Sequence, residues 1–303
     1  VQLLMQYDSM HSSYKRPDYP ALYDSSNNAS LESQKYYLTI MKAYLTLSVI
    51  AGVLSIYIKE STIAGIIATI SFFAILFLSI FQAVKRYDKT WYNGRAVAES
   101  VKTRTWRFVM RAEPYFDSEN LDSVKKDFCD DLKDILDQNR ELGSFLAHES
   151  VTQETITESM CEVRALSVDD RLNYYISNRI NEQRSWYLTK ANFNKRKARD
   201  WFIALIATNA IVIILLLIEV GYKVYNLPTP AIIILGGSIL SWTQIKRFQD
   251  LATSYSLTAH EIGIIKSQSF MVKGEKELSD FVKDSENAFS REHTQWVARK
   301  DKP

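Results

Sequence analysis

Residues able to carry out bond chemistry are few in this 303-residue chain, and their spacing does not suit catalysis. The four histidines, His11, His148, His260 and His293, stand far apart. None has metal-ligand spacing with another or with Cys129 or Cys161. Two cysteines supply neither a disulfide framework nor a four-thiolate metal site, and they suit a reducing compartment. Asp130-Asp131 invites a cation-site reading, but adjacent carboxylates on a helix point about 100° apart and do not converge. The sequence has no Walker loop, GxSxG or GxGxxG pattern. The expectation is a non-enzyme with no cofactor and no metal. Pairing chemistry is what remains. Arg95 and Glu99 are four residues apart and can form a helix-surface pair worth about 0.2–0.5 kcal/mol. Arg179 and Glu261 can do the same between helices. In a functional role such arginines would orient an assembly or receive an anionic ligand in bidentate fashion, and both readings stay open.

A second pattern concerns solvation. Ser48, Gly52, Ser55 and Lys59 recur at intervals of four, three and four, which places them on one helical face. Leu45 and Met41 continue that face. In lipid, a small hydroxyl-bearing stripe serves close helix packing. It also serves to line a water-filled path, with the apolar pair as a constriction that gates by dewetting. Gly236, Gly237 and Ser238 are the matching candidates for a bend beside such a path.

These residues need positioning elements, and composition shows which. Lys+Arg number 37 against 35 Asp+Glu, a formal charge of +2, so the basic excess of a nucleic-acid binder is missing. Mean hydropathy is −0.16, as in a soluble protein, but the average is misleading. The apolar residues gather in four blocks, Leu38–Ile58, Ile63–Val84, Trp201–Ile218 and Thr229–Ile245. A helix needs about 20 mostly apolar residues to cross a bilayer. The fourth block is the weakest, being short and interrupted by Gly236-Gly237. Connections as short as Lys59-Glu60-Ser61-Thr62 and Glu219 to Pro228 make two antiparallel hairpins. Lys85, Arg86 and Lys89 follow the second block, Lys195, Arg196, Lys197 and Arg199 precede the third, and Lys246 and Arg247 follow the fourth. Basic residues stay on the cytoplasmic side, so both termini and the middle of the chain are expected there. Val1–Asp8 does not read as a cleavable signal peptide.

The expected fold class is an all-α membrane protein. It has two transmembrane helical hairpins, four spans in all, with long helices extending into a cytoplasmic helical bundle. Residues 1–29 read as a polar N-terminal arm and Ser30 as an N-cap. Residues 30–115 form a first two-span unit, 116–166 an acidic helical connector, 167–270 a second two-span unit and 271–303 a charged C-terminal tail. One helix of about 50 residues is expected from the second block to Pro114. Another is expected to run unbroken from the Ser167 N-cap through the third block. Two apolar stripes with a 3.5-residue period extend the hairpins. One holds Tyr87, Trp91, Gly94, Ala98, Val101, Thr105 and Phe108; the other holds Phe248, Leu251, Tyr255, Thr258, Ile262 and Ile265. Segment 85–115 has eight bases against three acids, and 117–160 twelve acids against four bases, so a charge clasp between them is expected. Lys85-Arg86-Tyr87 and Lys246-Arg247-Phe248 close the two hairpins alike. Glu99 follows the first and Glu261 the second at nearly the same distance, which points to duplication.

The stretch from Trp91 through Arg95 to Glu99, then Thr105-Trp106-Arg107 and Arg111-Ala112-Glu113-Pro114-Tyr115, resembles the SLATT family of bacterial two-transmembrane effectors. Tyr174-Tyr175, Arg179-Ile180, Gln183, Trp186-Tyr187, Lys190-Ala191 and Asn194, followed by Tyr255, Glu261 and Ile262, resemble a second SLATT subtype. The resemblance implies motif or assembly roles for Trp91, Arg95, Glu99, Trp106, Arg179, Tyr187, Tyr255 and Glu261. It also implies an oligomeric pore-forming, ion-channel-like effector of a bacterial conflict (anti-phage, abortive infection) system in the inner membrane. The expected partners are the lipid bilayer, further copies of the chain, and a nucleotide second messenger or a nucleotide-synthesising or nucleotide-sensing protein, with no nucleic acid. No nucleotide-handling domain is fused here, so the trigger is expected from outside the chain. A membrane-anchored scaffold without an ion path is the alternative. An ion-coupled transporter is a weaker third, because it lacks ionisable residues deep in the membrane.

Overall fold

The computed structural model describes residues 17–117, 120–146, 154–224 and 227–300, with Ser144 and residues 291–300 described by backbone alone. Among the described residues every regular element is helical: α1 Ala21–Ser55, α2 Thr62–Lys85, α3 Tyr87–Val109, α4 Leu121–Gln138, α5 Glu158–Ala165, α6 Val168–Tyr175, α7 Asn181–Tyr222, α8 Thr229–Lys246, α9 Phe248–Ser267 and α10 Glu275–Lys300. Short 3-10 turns follow α4 and α9, and a π-helical turn, Ile176–Ile180, joins α6 to α7. The chain divides into two compact units. One holds the described residues of Val1–Leu31, Thr90–Thr189 and Tyr255–Pro303, and the other Glu32–Lys89 with Lys190–Ser254.

The first unit has a closed core. Trp106, Phe108, Tyr115, Phe128, Tyr175, Ile180, Ile262, Leu278 and Val282 are all fully enclosed. The two apolar stripes are its seams: Gly94, Ala98, Val101, Thr105 and Phe108 on α3 are buried, as are Thr258, Ile262 and Ile265 on α9. The second unit does the opposite. Phe73 is 68% exposed, Leu217 66% and Val220 81%. Three helical runs, Ala21–Ser55, Thr62–Val109 and Val168–Tyr222, are long and apolar enough to cross a membrane. The helix α8, of 18 residues, falls short, with Gln244 and Lys246 in its last turn.

Several expectations need correction. The 50-residue helix is broken at Arg86, which adopts a left-handed conformation (φ 48°) between α2 and α3. Arg247 (φ 49°) breaks the chain in the same way between α8 and α9. Both arginine N–H groups still donate to the carbonyl four residues back, Gln82 at 3.0 Å and Thr243 at 2.8 Å, so each break costs strain rather than a hydrogen bond. The third run is helical as expected from its Ser167 N-cap, but it contains the π turn. The reading of 17–29 as an arm also fails: α1 begins at Ala21, with Ser25, Ser26 and Ala29 buried. Ser30 sits inside that helix, donating to the Trp91 carbonyl at 2.9 Å instead of capping. Val1–Asp8, His11 and the rest of 1–16 lie outside the described residues, as does His148. The charged tail is the helix α10, whose Leu278, Phe281, Val282, Ala288 and Phe289 enter the core. Its apolar residues keep helical spacing beneath the charges that dominate its composition.

Gly94 marks the tightest helix contact in the first unit. A Cβ there would lie 2.9 Å from the Ser26 carbonyl oxygen and 3.1 Å from the Ser30 Cβ, and a backbone atom has little room to yield. Gly94→Ala is therefore expected to destabilise the protein by about 1–3 kcal/mol. Gly237→Ala, which meets open space, should not. Unfolding of the detergent-purified variants by denaturant measures both.

Candidate functional site

Three buried arginines organise the first unit. The C-terminus of α3 leaves carbonyls that its own helix cannot satisfy, and a cation is favoured there. Arg164 on α5 donates through Nη1 to the Phe108 carbonyl, and through Nη2 to the Tyr115 carbonyl (3.1 Å) and Asp117 Oδ1 (2.9 Å). Arg171 on α6 donates to the carbonyls of Leu166 (3.1 Å) and Met110 (2.9 Å), and it pairs with Glu275 at the start of α10. Arg111 completes the collar, bonding the Arg164 carbonyl at 2.9 Å and Asp117 at 2.6 Å. Burial lowers the pKa of Arg164 and Arg171, and the neighbouring carboxylates Asp117 and Glu275 oppose that shift.

The third buried arginine is Arg179, held in the π turn and 1% exposed. Its Nε and Nη2 meet the two carboxylate oxygens of Glu286 at 2.8 and 2.7 Å. Glu286, wholly buried on α10, also accepts from the Tyr175 hydroxyl (2.9 Å) and the Thr103 hydroxyl (3.0 Å). The guanidinium lies 4.8 Å from the Phe289 ring centre. Burial alone would lower the Arg179 pKa; the Glu286 carboxylate reverses this and holds it above the ordinary value. Burial, then Glu286, pushes the Tyr175 phenol up. Nearby, partly buried Lys102 has its pKa lowered to about 8, by desolvation first and then by Arg179, against the opposite pull of Glu99 and Glu182. Such a cluster fixes geometry and charge state; its carboxylates are fully engaged, so it binds and orients rather than transfers protons.

Residues 20–172 match the family model described as "SMODS and SLOG-associating 2TM effector domain 3", and residues 175–296 match that of "SMODS and SLOG-associating 2TM effector domain 1". The chain belongs to the SLATT family. It holds two SLATT domains in tandem. No curated protein and no solved structure matches it significantly. The buried clusters cross the two SLATT matches: Thr103 comes from the first and Arg179 and Glu286 from the second, while Arg171 of the first pairs with Glu275 of the second.

The structure places the SLATT motif residues as follows. Arg95 and Glu99 form the expected pair at 2.7 Å, with Glu99 buried. Trp106 is fully enclosed, its indole N–H donating to the Tyr19 hydroxyl at 2.9 Å. Trp91 stacks on Tyr92, and Tyr187 and Tyr255 pack ring against ring at 5.6 Å. Glu261 is half-buried on α9, and the pairing of Arg179 with Glu261 is corrected: the carboxylate on Arg179 is Glu286. Of the expected charge clasp, Arg104 meets Asp131 at 3.2 Å, while Arg107 bonds Asn287 on α10 instead. Arg164, Arg171 and Glu286 were missed by sequence reasoning. The one available clue was a run of apolar residues at helical spacing around Glu286.

In the second unit, Ser48 and Ser55 donate to their own helix, to Tyr44 (2.9 Å) and Gly52 (2.7 Å). Gly52 is buried, and a Cβ there would lie 2.4 Å from the Ile234 Cδ1. Leu45 and Ser238 line a crevice between α1, α7 and α8. Gly236 is buried against the Thr208 side chain, and Gly237 faces open space. Two placements differ from expectation. Lys59 sits in the turn after α1, which ends at Ser55, so it is not part of the helical stripe. The helix α8 is uninterrupted through Gly236-Gly237-Ser238, and its break comes at Arg247.

Two measurements check the cluster. Glu286→Gln keeps the shape and one acceptor but leaves Arg179 buried without a counter-charge, and it is expected to cost about 3–5 kcal/mol. Adding Arg179→Met should recover most of that loss, which a double-mutant cycle of unfolding free energies reads directly. Lys102 binds its proton less tightly in the folded chain than in the unfolded one. Stability should therefore rise as pH climbs from about 8 toward the ordinary lysine value of about 10.4, with its penalty constant below that window. Lys102→Met should remove this rise from the pH profile of thermal unfolding.

Proposed function

We propose that the chain is an oligomeric, pore-forming membrane effector of a bacterial conflict system. It lies in the inner membrane with four spans and cytoplasmic termini, and it opens in response to a partner protein or a nucleotide signal. The observation that carries this reading is the tandem match to two effector domains, each described as two-transmembrane. The long apolar helices support it, because their aromatic and aliphatic side chains face outward, uncovered by any other described residue. The short α8 serves as the fourth span, its length made up at the interface by Trp242 and Lys246. The basic residues beside each block favour the cytoplasmic orientation. Two hairpins alone enclose too little space for a water path, so several copies surround it.

Pore-lining falls to the α1 face of Leu45, Ser48 and Ser55, with Gly52 placed for packing against α8. In planar bilayers the purified protein, with its trigger, is expected to carry ionic current. Ser48→Leu should abolish current and growth arrest while the protein stays inserted and assembled, and cysteines at positions 48 and 55 should react with water-soluble thiol reagents. Current unchanged in Ser48→Leu, with both cysteines unreactive, would remove α1 from the pore. No current under any trigger would leave a membrane-anchored scaffold.

A further inference from the structure

The crevice that Leu45 and Ser238 line, of about 550 Å³, lies wholly within the second unit. Three lysines line it: Lys42 from α1 and Lys246 from the end of α8, which share the Trp242 ring, and Lys197 from α7. No carboxylate lines the crevice. Among the described residues none of the three lysines makes an ion pair; each instead lies near an aromatic face. Lys42 Nζ is 5.6 Å and Lys246 Nζ 6.0 Å from the Trp242 ring centre, and Lys197 Nζ is 6.0 Å from that of Phe193. Ring faces hold ammonium groups in place without occupying their N–H donors. In the larger crevice beside it, of about 980 Å³, Arg199 is paired with Asp200 and Arg247 with Asp250, while Lys195 and Arg196 line it as well. Cations that line one crevice with no acid among them favour an anion from elsewhere.

The rest of the crevice tells what kind of anion. Lys42, Leu45 and Val49 share one face of α1, and Leu235, Ile239, Trp242 and Lys246 share one face of α8. Along about 10 Å of helix the lining therefore passes from cationic to mainly apolar, with the hydroxyls of Thr46 and Ser238 as the exceptions. A free phosphate would use only the lysine end, whereas an amphiphile fills both. We propose that this crevice is a binding site for an anionic phospholipid. The phosphate diester sits among Lys42, Lys197 and Lys246, and an acyl chain lies against Leu45, Val49 and Ile239. The site rests on the reading that these helices span the membrane with their lysine ends cytoplasmic, where basic pockets between helices meet anionic headgroups. Because α8 ends at Lys246 and the left-handed Arg247 follows, an occupying headgroup also fixes the point at which the chain leaves the bilayer.

The test uses the full chain in lipid nanodiscs of phosphatidylcholine, into which phosphatidylglycerol is titrated. Phosphatidylglycerol retained through delipidation is counted by native mass spectrometry, and the melting temperature is followed alongside. Three lysines should give about a hundredfold preference for phosphatidylglycerol over phosphatidylcholine, falling to within about twofold in K42Q/K197Q/K246Q. If the triple variant fails to fold, the preference of the parent and its stepwise loss in the single variants decide the matter. A parent indifferent to lipid charge, or a variant retaining the full preference, overturns the site. Equal stabilisation by inorganic phosphate in neutral detergent overturns the lipid occupant and leaves a soluble-anion site. A chain that enters phosphatidylcholine discs but ignores lipid charge defeats this inference alone; one that does not enter them defeats the membrane reading as well.

Discussion

A guanidinium and a carboxylate can be removed from water only where charge-assisted hydrogen bonds offset the lost hydration, and in the first unit the Arg179–Glu286 pair does so through Nε and Nη2. Arg179 Nη1 is buried without a hydrogen-bond partner among the described residues. Each buried ion costs several kcal/mol in lost hydration, which the pair's own attraction offsets only in good geometry. Here two charge-assisted hydrogen bonds run in parallel, and Tyr175 and Thr103 satisfy the remaining carboxylate lone pairs. The four residues come from α3, α6, the π turn and α10, segments separated by up to 183 positions in the chain. Separating the π turn from α10 would strand a buried charge, and removing α3 or α6 would take away a hydroxyl donor to Glu286. The π turn has a part in this: its extra residue displaces the register of the helix that carries Arg179, and such turns recur where a side chain must be aimed. One consequence concerns the tandem SLATT architecture. The carboxylate belongs to the second domain and one of its donors to the first, so the two repeats share a core rather than sitting as independent beads.

Backbone accounting explains the remaining arginines. Where α3 ends, the left-handed Arg111 (φ 54°) closes a Schellman-type turn, with the Ala112 N–H on the Arg107 carbonyl (2.9 Å) and the Arg111 N–H on the Phe108 carbonyl (3.2 Å). Arg164 adds a second donor to Phe108, and Arg171 meets the Met110 carbonyl just beyond the helix. Where α2 and α8 end, Arg86 and Arg247 each turn left-handed while keeping the last helical hydrogen bond. A non-glycine residue in that conformation costs about 1–3 kcal/mol, so its recurrence at both hairpin ends reflects a shared design requirement rather than a chance irregularity. The requirement is a fixed point of departure from the apolar helix, and an arginine meets it with a charged group suited to the membrane surface.

How much of this was legible follows from the kind of signal each feature leaves. The apolar blocks were plain because a run such as Ile211–Ile218 has no polar face at any period. The two stripes after the hairpins were legible because Val101 and Ile262 keep their spacing even at three heptads, and both are buried. The N-terminal part of α1 was not legible. Its Ser25, Ser26, Ala29 and Ser30 look like an arm by polarity, yet small side chains are what a helix needs to approach Gly94 closely. The helix breaks were hidden because arginine has no preference for the left-handed region; only the repeated Lys-Arg-aromatic triplet left a trace. The partner of Arg179 was hidden for a different reason. Spacing along one helix gives candidates on that helix or a visible repeat, whereas Glu286 reaches Arg179 only through the fold, from a segment that its charges had disguised as a tail.

The two units differ in what holds their helices to each other. In the first, polar side chains tie one helix to another, and removing a tie strands a buried charge. In the second, most hydroxyls turn back on their own helices, Ser48 to Tyr44, Ser55 to Gly52, Ser71 to Ile67, Ser79 to Ile75 and Thr208 to Ala204, while Thr229 on α8 donates across to Glu219 on α7 at 2.8 Å. The bonds within one helix satisfy each hydroxyl without contributing to association. What joins α1 to α8 is shape, the Ile234 side chain seated on Gly52; what joins α7 to α8, besides the Thr229 bond, is Thr208 on Gly236. Close packing of small residues is how helices associate where water offers no drive, and its energy is spread over many weak contacts. Apart from the Thr229–Glu219 bond between α7 and α8, packing of this kind strands neither a charge nor an unpaired donor when it shifts. The two units thus rest on different kinds of contact: the first on polar ties whose loss strands a buried charge, the second mainly on shape.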